Sequence, residues 1–134
     1  MSWWNPFTWG SASIGDPYQP LARTVATYGV VMDKPLTLAV GADIDRTFEF
    51  TLRAVDEGHS VIVSFLLVST NNLQLQITLN DMSYTYAYSA GPERVVHEVI
   101  GAAAREGDNQ LTVRVNQGSC RFSDMILWYG TLVR

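Results

Sequence analysis

The residues with reactive side chains are few in this sequence, and they are not spaced for catalysis. The two histidines, His59 and His97, stand apart, and neither belongs to an H-x-H or H-E-x-x-H pair that would hold zinc. No serine lies in a G-x-S-x-G turn, and no glycine-rich phosphate loop is present. Two carboxylates could meet in space for glycoside hydrolysis, but a small sandwich rarely builds the cleft that this chemistry needs. The sequence therefore predicts a protein that is not an enzyme.

Aromatic and amide side chains are better candidates, because they are the groups that bind sugars. An aromatic ring stacks on the apolar C–H face of a pyranose, and planar polar groups hydrogen-bond its hydroxyls. Three tyrosines alternate in one strand-like segment and project from one face. Two asparagines form a loop, and two glutamines follow on the polar face of the next strand. The candidate ligand-binding residues are Tyr84, Tyr86, Tyr88, Asn71, Asn72, Gln74 and Gln76.

Each of these candidates has an alternative role that the sequence leaves open. The tyrosines can equally line the core with their hydroxyls at its rim, and the amides can equally belong to a turn and a solvated face. Arg94 could bind an anionic sugar or pair with a carboxylate.

The neighbouring residues Trp128 and Tyr129 cannot both face the core, because successive side chains of a strand point to opposite faces. Phe122, Ile126 and Trp128 have the same parity along the last strand-like segment. We therefore assign Trp128 to the core and Tyr129 to the surface, where Tyr129 becomes a further ligand candidate.

Strands must position these side chains, because period-two alternation dominates most of the chain. In segment 73–79, leucine and isoleucine alternate with glutamine and threonine, and segments 47–55 and 111–116 alternate in the same way. Segment 60–69 is apolar enough to be a central strand. Turn residues separate these runs about every 8 to 12 residues, as in a sandwich or barrel. The pattern predicts an all-β protein of about eight or nine strands, most simply a two-sheet sandwich.

The first 20 residues differ from the rest and are predicted to form an irregular arm ahead of a β-sandwich binding domain, residues 21–134. Prolines and glycines interrupt the arm, and no strand or helix period survives. Its large aromatic residues would form an aggregation-prone patch if they were exposed. We expect the arm to cover an open edge or end of the sandwich, or to dock on a partner. The docking residues are Trp3, Trp4, Phe7 and Trp9.

The composition argues against several classes of partner. Charged residues make up 16% of the chain and the net charge is −4, which argues against nucleic acid or an anionic membrane surface as a partner. No segment is long and apolar enough to span a bilayer. The start lacks a signal-peptide pattern, so we expect a cytoplasmic protein, with signal-independent export as the alternative. The single cysteine, Cys120, excludes an intrachain disulfide and is expected to be buried.

Three segments, in this order, resemble the galactose-binding-domain-like jelly rolls, which include carbohydrate-binding modules. Segment 75–81 reads as a strand that ends in an L-N-[GD] turn. Segment 105–115 contains G-x-N-x-L-x-V-x-V, and segment 120–129 is a closing strand. The resemblance covers roughly residues 45–130. It implies a jelly-roll antiparallel β-sandwich that serves as a non-catalytic glycan-binding module or a lectin-like protein.

The resemblance also implies a ligand and a candidate metal site. A neutral glycan is the expected partner, and a lectin would gain from self-association into a homo-oligomer. Some related modules hold a structural calcium with an acidic ligand in the closing strand, where Asp124 stands in this chain. The alternative is an outward-facing or turn-capping aspartate, because one carboxylate cannot supply the roughly six to eight oxygens that calcium takes. No other cofactor is expected.

The competing function is a protein–protein interaction or a structural assembly subunit. It rests on the aromatic arm, which looks like a docking peptide.

Overall fold

The strands form where the apolar alternation predicts them, and the computed structural model describes residues 24–132. In this part of the chain no helix is present, so none could cross a membrane. The predicted all-β class and strand number are confirmed. The arm, residues 1–20, lies outside the described residues, so it stays a prediction. The nine strands are β1 (Thr24–Met32), β2 (Leu36–Ala39), β3 (Asp45–Leu52), β4 (Val61–Ser69), β5 (Leu73–Leu79), β6 (Met82–Tyr88), β7 (Gly91–Ile100), β8 (Gly107–Gln117) and β9 (Ser119–Leu132).

The strands pair in the order of a jelly roll. Sheet I has the order β1-β9-β4-β7, with β2 also paired to β9, and sheet II has the order β3-β8-β5-β6. The pairs are nested, because β6 pairs with β5, β7 with β4, β8 with β3, and β9 with β1 and β2. The chain is therefore one long antiparallel hairpin whose successive strand pairs alternate between the two sheets. This is the topology that the resemblance implied.

The core lies between the inner faces of the two sheets. On β5 the leucines and isoleucine of the alternating pattern are buried, whereas the glutamines and Thr78 are partly exposed. The facing strand β4 contributes Val61, Val63, Phe65 and Leu67, all buried. Each such side chain contributes roughly 1.5–3 kcal/mol when it leaves water. The packing of β4 against β5 across the interior therefore supplies much of the stability of the fold.

The cysteine belongs to this core, as predicted. Cys120 is buried at the start of β9. Burial raises the pKa of its thiol to about 11, because an apolar surrounding disfavours the thiolate. The thiol therefore stays protonated and unreactive in the folded protein at neutral pH.

A β-bulge in β9 reverses the residues that face the core. Phe122 points inward, but after Asp124 the inward side chains are Met125 and Leu127, so the parity has changed. Asp124 has a left-handed backbone with φ of +52°. The register of β9 against both neighbouring strands shifts just before Ile126. One extra residue at this place moves every later side chain to the other face.

The assignment of Trp128 to the core and Tyr129 to the surface is therefore wrong. Trp128 is 37% exposed on the outer face of sheet I, whereas Tyr129 packs against the core. The assignment counted parity from Phe122 as if the strand were regular. The bulge at Asp124 adds one residue to that count.

The G-x-N turn that opens β8 is held together by a buried asparagine. Asn109 is only 3% exposed. Its amide nitrogen donates to the carbonyl oxygens of Arg105 (2.7 Å) and Gly107 (3.0 Å). Its carbonyl oxygen accepts from the Arg105 backbone N–H (3.0 Å) and from the Asn80 amide (2.9 Å). Gly107, with φ of +89°, supplies the left-handed backbone that the turn needs.

We predict that Asn109→Ala lowers the free energy of unfolding by about 2–3 kcal/mol, because it removes four hydrogen bonds of the buried amide and leaves three part-buried backbone groups without that partner. The measurement is urea denaturation followed by circular dichroism. Asn116→Ala, at an exposed position of the same strand, is the matched control and should change stability by less than about 0.5 kcal/mol. Equal effects of the two substitutions would contradict the structural role of Asn109.

Candidate functional site

The tyrosines predicted to bind a ligand lie on the inner face of sheet II. On β6, Tyr84, Tyr86 and Tyr88 stand directly opposite buried residues of β5, and their rings pack against the core. The rings of Tyr84 and Tyr86 stack with centroids 6.5 Å apart. The contacts fit the alternative in which these tyrosines line the interior.

The tyrosine hydroxyls close one side of the sandwich by reaching the edge of sheet I. Burial, together with the Glu98 carboxylate, raises the pKa of Tyr88 and of Tyr86, so both phenols remain neutral donors. A role for these rings in ligand binding stays a prediction. Tyr84 Oη accepts a hydrogen bond from the Gly101 N–H (3.1 Å). Tyr86 Oη donates to the Val99 carbonyl oxygen (2.8 Å), and Tyr88 Oη donates to Glu98 Oε2 (2.6 Å).

The two asparagines predicted as ligand-binding residues hold the turns at one end of the sandwich. The side-chain oxygen of Asn71 accepts from the Ser119 N–H (3.0 Å), and that of Asn72 accepts from the Ala90 N–H (3.3 Å). At the same end, the Arg94 guanidinium donates to the Ser89 carbonyl (2.8 Å).

The two glutamines lie on the outer face of sheet II, away from the tyrosine rings. Gln76 donates to Ser83 (2.7 Å) across this face, and Gln74 lies on the same side of β5. The glutamine amides and the tyrosine rings therefore lie on opposite faces of sheet II. Ligand binding by any of these polar residues stays a prediction.

Asp124, the predicted metal ligand, is exposed at the bulge and accepts a hydrogen bond from the Ser123 hydroxyl (3.0 Å). Within residues 24–132, no three His, Cys, Asp or Glu side chains come together as metal ligands. Calcium binding through Asp124 therefore stays a prediction. The observed contacts give Asp124 a local role at the bulge.

We predict that Asp124→Gly keeps or raises the melting temperature, because glycine adopts φ of +52° without strain, whereas Asp124→Ala lowers stability by about 1 kcal/mol. Thermal unfolding should be measured in calcium and in chelator. If calcium raised the melting temperature of the parent chain but not of Asp124→Gly, the purely local role of Asp124 would be overturned and a metal ligand established.

A pair of aromatic side chains lies on the outer face of sheet I, where sequence reasoning did not place a site. Tyr28 of β1 stands directly opposite Trp128 of β9, and the ring centroids are 5.1 Å apart at an angle of 41°. Tyr28 is 60% exposed. The Trp128 indole N–H donates to the hydroxyl of Ser64 on β4 (3.1 Å), and Ser64 is buried. This bond holds the indole across the sheet. We call these two rings the aromatic platform.

A shallow groove of about 280 Å³ adjoins the aromatic platform. Its lining combines the large side chains of Ile62, Trp128 and Tyr129 with small, hydroxyl and imidazole side chains from β1, β4, β9 and the turn before β4. A Cβ on Gly130 would meet the Thr24 methyl at 2.5 Å and His59 at 3.3 Å, so a side chain there would displace groups that line the groove. The lining residues are Thr24, Ala26, His59, Ser60, Ile62, Trp128, Tyr129 and Gly130.

Asp56 anchors the polar wall of the groove. Its carboxylate accepts from the Thr24 hydroxyl (2.5 Å) and from the Gly58 N–H (3.2 Å), and it lies 3.4 Å from His59 Nε2. The Thr24 bond, then the Gly58 bond and the nearby His59 lower the pKa of Asp56. Asp56 is therefore ionised at neutral pH and acts as a hydrogen-bond acceptor.

A larger cleft of about 540 Å³ opens at the far end of sheet II, between Glu49, Thr51, Asp108 and Gln110. Two amides in its lining, Asn80 and Asn109, are already hydrogen-bonded within the fold. Its one aromatic ring is Phe50, which packs against the core. The cleft therefore lacks the exposed aromatic face that sugar stacking needs.

The rest of the outer face of sheet I is largely apolar, although His97 and Arg121 are also exposed on it. Val30 of β1 is 61% exposed, Val99 of β7 is 60% exposed, and Val95 of β7 and Ile62 of β4 are also exposed. The outer face of sheet II carries mainly polar residues instead, so the two outer faces differ in character. Contiguous exposed apolar surface of this kind marks an interaction site.

The pairing of Tyr28 with Trp128 could not be read from the sequence. The segment around Tyr28 reads as a short strand, but its partner and its outward face depend on the register with β9. The side chain of Trp128 turns outward only because of the bulge at Asp124. The only local signal in the sequence was the aspartate itself, which adopts a positive φ more readily than most residues but also tolerates many other conformations.

Comparison with known proteins supports the fold. No protein-family model matches the chain, and no curated protein matches it. Latent PorU from Porphyromonas gingivalis is similar at 12% identity and a TM-score of 0.57, over 82% of this chain but only 13% of PorU. The CBM36-1 domain of a xylanase from the Trinervitermes trinervoides hindgut metagenome is 9% identical, with a TM-score of 0.49 over 82% of this chain and 99% of that domain.

A further solved structure, the carbohydrate-binding module CBM36 in complex with calcium and xylotriose, is 7% identical. Its TM-score is 0.47, over 78% of this chain and 98% of that module. At these identities the likeness concerns the fold alone. The strand order and the likeness to PorU define the class of the fold, a jelly-roll β-sandwich. Carbohydrate-binding modules are among the other solved proteins to which the chain is similar.

Proposed function

We propose that this chain is a non-catalytic glycan-binding module whose site is the aromatic platform and the groove beside it. The observation that carries the proposal is the exposed Tyr28–Trp128 pair, whose indole N–H is held by Ser64. A ring that is fixed in place stacks on a pyranose without first losing conformational freedom. The platform thus supplies the apolar half of a sugar site.

The groove supplies the polar half of the site. His59 and Ser60 are exposed in the groove, and the carboxylate of Asp56 lies behind His59. Imidazole, hydroxyl and carboxylate groups can donate to and accept from sugar hydroxyls. The residues of segment 24–132 that line the groove include no lysine or arginine, so this lining favours a neutral sugar over an acidic one.

The same geometry supports a binding role over a catalytic one. Glycoside hydrolysis usually needs a pair of carboxyl groups, one of them protonated. Near the groove the described part of the chain offers Asp56, whose lowered pKa keeps it ionised, and no carboxylate is among the lining residues.

Removing the platform should abolish most of the sugar affinity. After a glycan array identifies a ligand, we expect Trp128→Ala and Tyr28→Ala each to weaken its binding at least about tenfold in isothermal titration calorimetry, since stacking is lost. Val95→Ala, on the same face but distant from the groove, is the matched control and should bind as the parent does.

Two outcomes would count against the proposal. A folded protein that binds no glycan on the array would contradict the function itself. Weaker binding in Tyr86→Phe or Gln76→Ala, with Trp128→Ala unchanged, would move the site to the residues that the sequence predicted.

The alternative function, an assembly subunit, is favoured by the apolar outer face of sheet I. Val30, Val95 and Val99 are exposed there well beyond the platform. A face of this character suits a second protein surface, which would bury the valines together. The docking surface on the sandwich would then be sheet I.

An assembly role predicts concentration-dependent self-association that Val95→Glu combined with Val99→Glu removes, because a buried unpaired carboxylate is costly. Sedimentation velocity measures the effect. Exchanging an exposed residue of sheet II, Thr85→Glu, is the control. A parent chain that stays monomeric at high concentration would contradict this alternative.

A further inference from the structure

We propose that the aromatic residues of segment 1–18 fill an open groove between β1 and β3 of the same chain. The two lateral sides of the sandwich are built differently. On one side the tyrosines of β6 hydrogen-bond to β7 and its end, and so close the gap between the sheets. On the other side β1 and β3 are the edge strands of the two sheets within residues 24–132.

The open side exposes an apolar groove that reaches the core. The groove measures about 190 Å³ and is lined by Gly29, Val30, Val31, Phe50, Thr51, Leu52, Leu127 and Tyr129. Leu52 and Leu127 at its base are buried core residues. Apolar surface that adjoins the core and faces solvent is unfavourable, so a covering group would stabilise the fold.

The groove has room at Gly29. This residue stands opposite Leu127, on the inward-facing side of β1. A Cβ placed on Gly29 would meet no atom of the described residues within 4 Å. The absence of a side chain there leaves space beside the core that a side chain from another segment can enter.

The segment before Thr24 can reach this space. Thr24 is the first residue of β1, which forms one wall of the groove, and Gly29 lies five residues further, roughly 17 Å along the strand. The 15 residue steps from Trp9 to Thr24 extend up to about 50 Å. The chain can therefore turn back from Thr24 and place its aromatic residues along the groove.

The composition of the segment fits an apolar groove at a sheet edge. Its first 15 residues carry no charged side chain, so docking would desolvate no ion. Trp3, Trp4, Phe7 and Trp9 supply large rings, and Pro6 lacks an N–H that would need a partner. A covering segment would also shield the edge strands from pairing with other chains.

A double-mutant cycle tests this docking. We compare the melting temperatures of the parent chain, a deletion of residues 1–18, Gly29→Phe, and both changes together. Deletion should lower the melting temperature by roughly 5 °C. Gly29→Phe should raise it in the truncated chain by filling the groove, but not in the parent chain, where it competes with the arm. Ala87→Phe, on the outer face of sheet II, is the control and should have the same effect in both backgrounds.

Additive effects of the deletion and of Gly29→Phe would overturn the proposal. So would a parent chain whose self-association, measured by light scattering, disappears on deletion, because the arm would then occupy a second copy. If the truncated chain fails to fold, the rate of cleavage by chymotrypsin tests the docking in the full chain. Cleavage at Phe7 and Trp9 should become at least about tenfold faster in Gly29→Phe, and an unchanged rate would count against docking.

Discussion

The structure depends on the burial of one apolar face from each sheet against the other. The central strands β4 and β5 meet in this interior, and the nested strand pairs of the jelly roll bring them there from the middle of the chain. Because a strand has two faces, burying one of them defines the other as solvent-facing. Every feature of functional interest, on either outer face or along either side, is positioned by that choice.

The bulge at Asp124 shows how one residue of backbone can redirect a surface. Without it, β9 would present Tyr129 outward and bury Trp128, and no aromatic platform would stand beside Tyr28. With it, the strand satisfies the core through Met125 and Leu127 while the indole lies over Ser64. Bulges often lie where a strand must turn a side chain toward a site. Here the bulge links packing in the interior to the proposed sugar site.

The two lateral sides of the sandwich differ in the aromatic residues that close them. The tyrosines of β6 use their rings for the core and their hydroxyls for the opposite sheet, so they act as a wall. The side between β1 and β3 lacks such residues in the described part of the chain. The proposed sugar site and the proposed docking groove share Tyr129 in their linings, so each is tested with variants of residues that line only one of them, Trp128 for the first and Gly29 for the second.

The sequence by itself determined the strands, their number, the all-β class and the buried cysteine, because alternation and turn residues act over a few neighbouring positions. The G-x-N motif lies at a turn whose geometry depends mainly on its own residues, Gly107 and Asn109. Only the tertiary structure decided which face each strand presents to solvent. That choice depends on register between distant strands, so the tyrosines of β6 lie inside and Trp128 lies outside. A site formed by Tyr28 and Trp128, 100 positions apart, arises only from the pairing of β1 with β9.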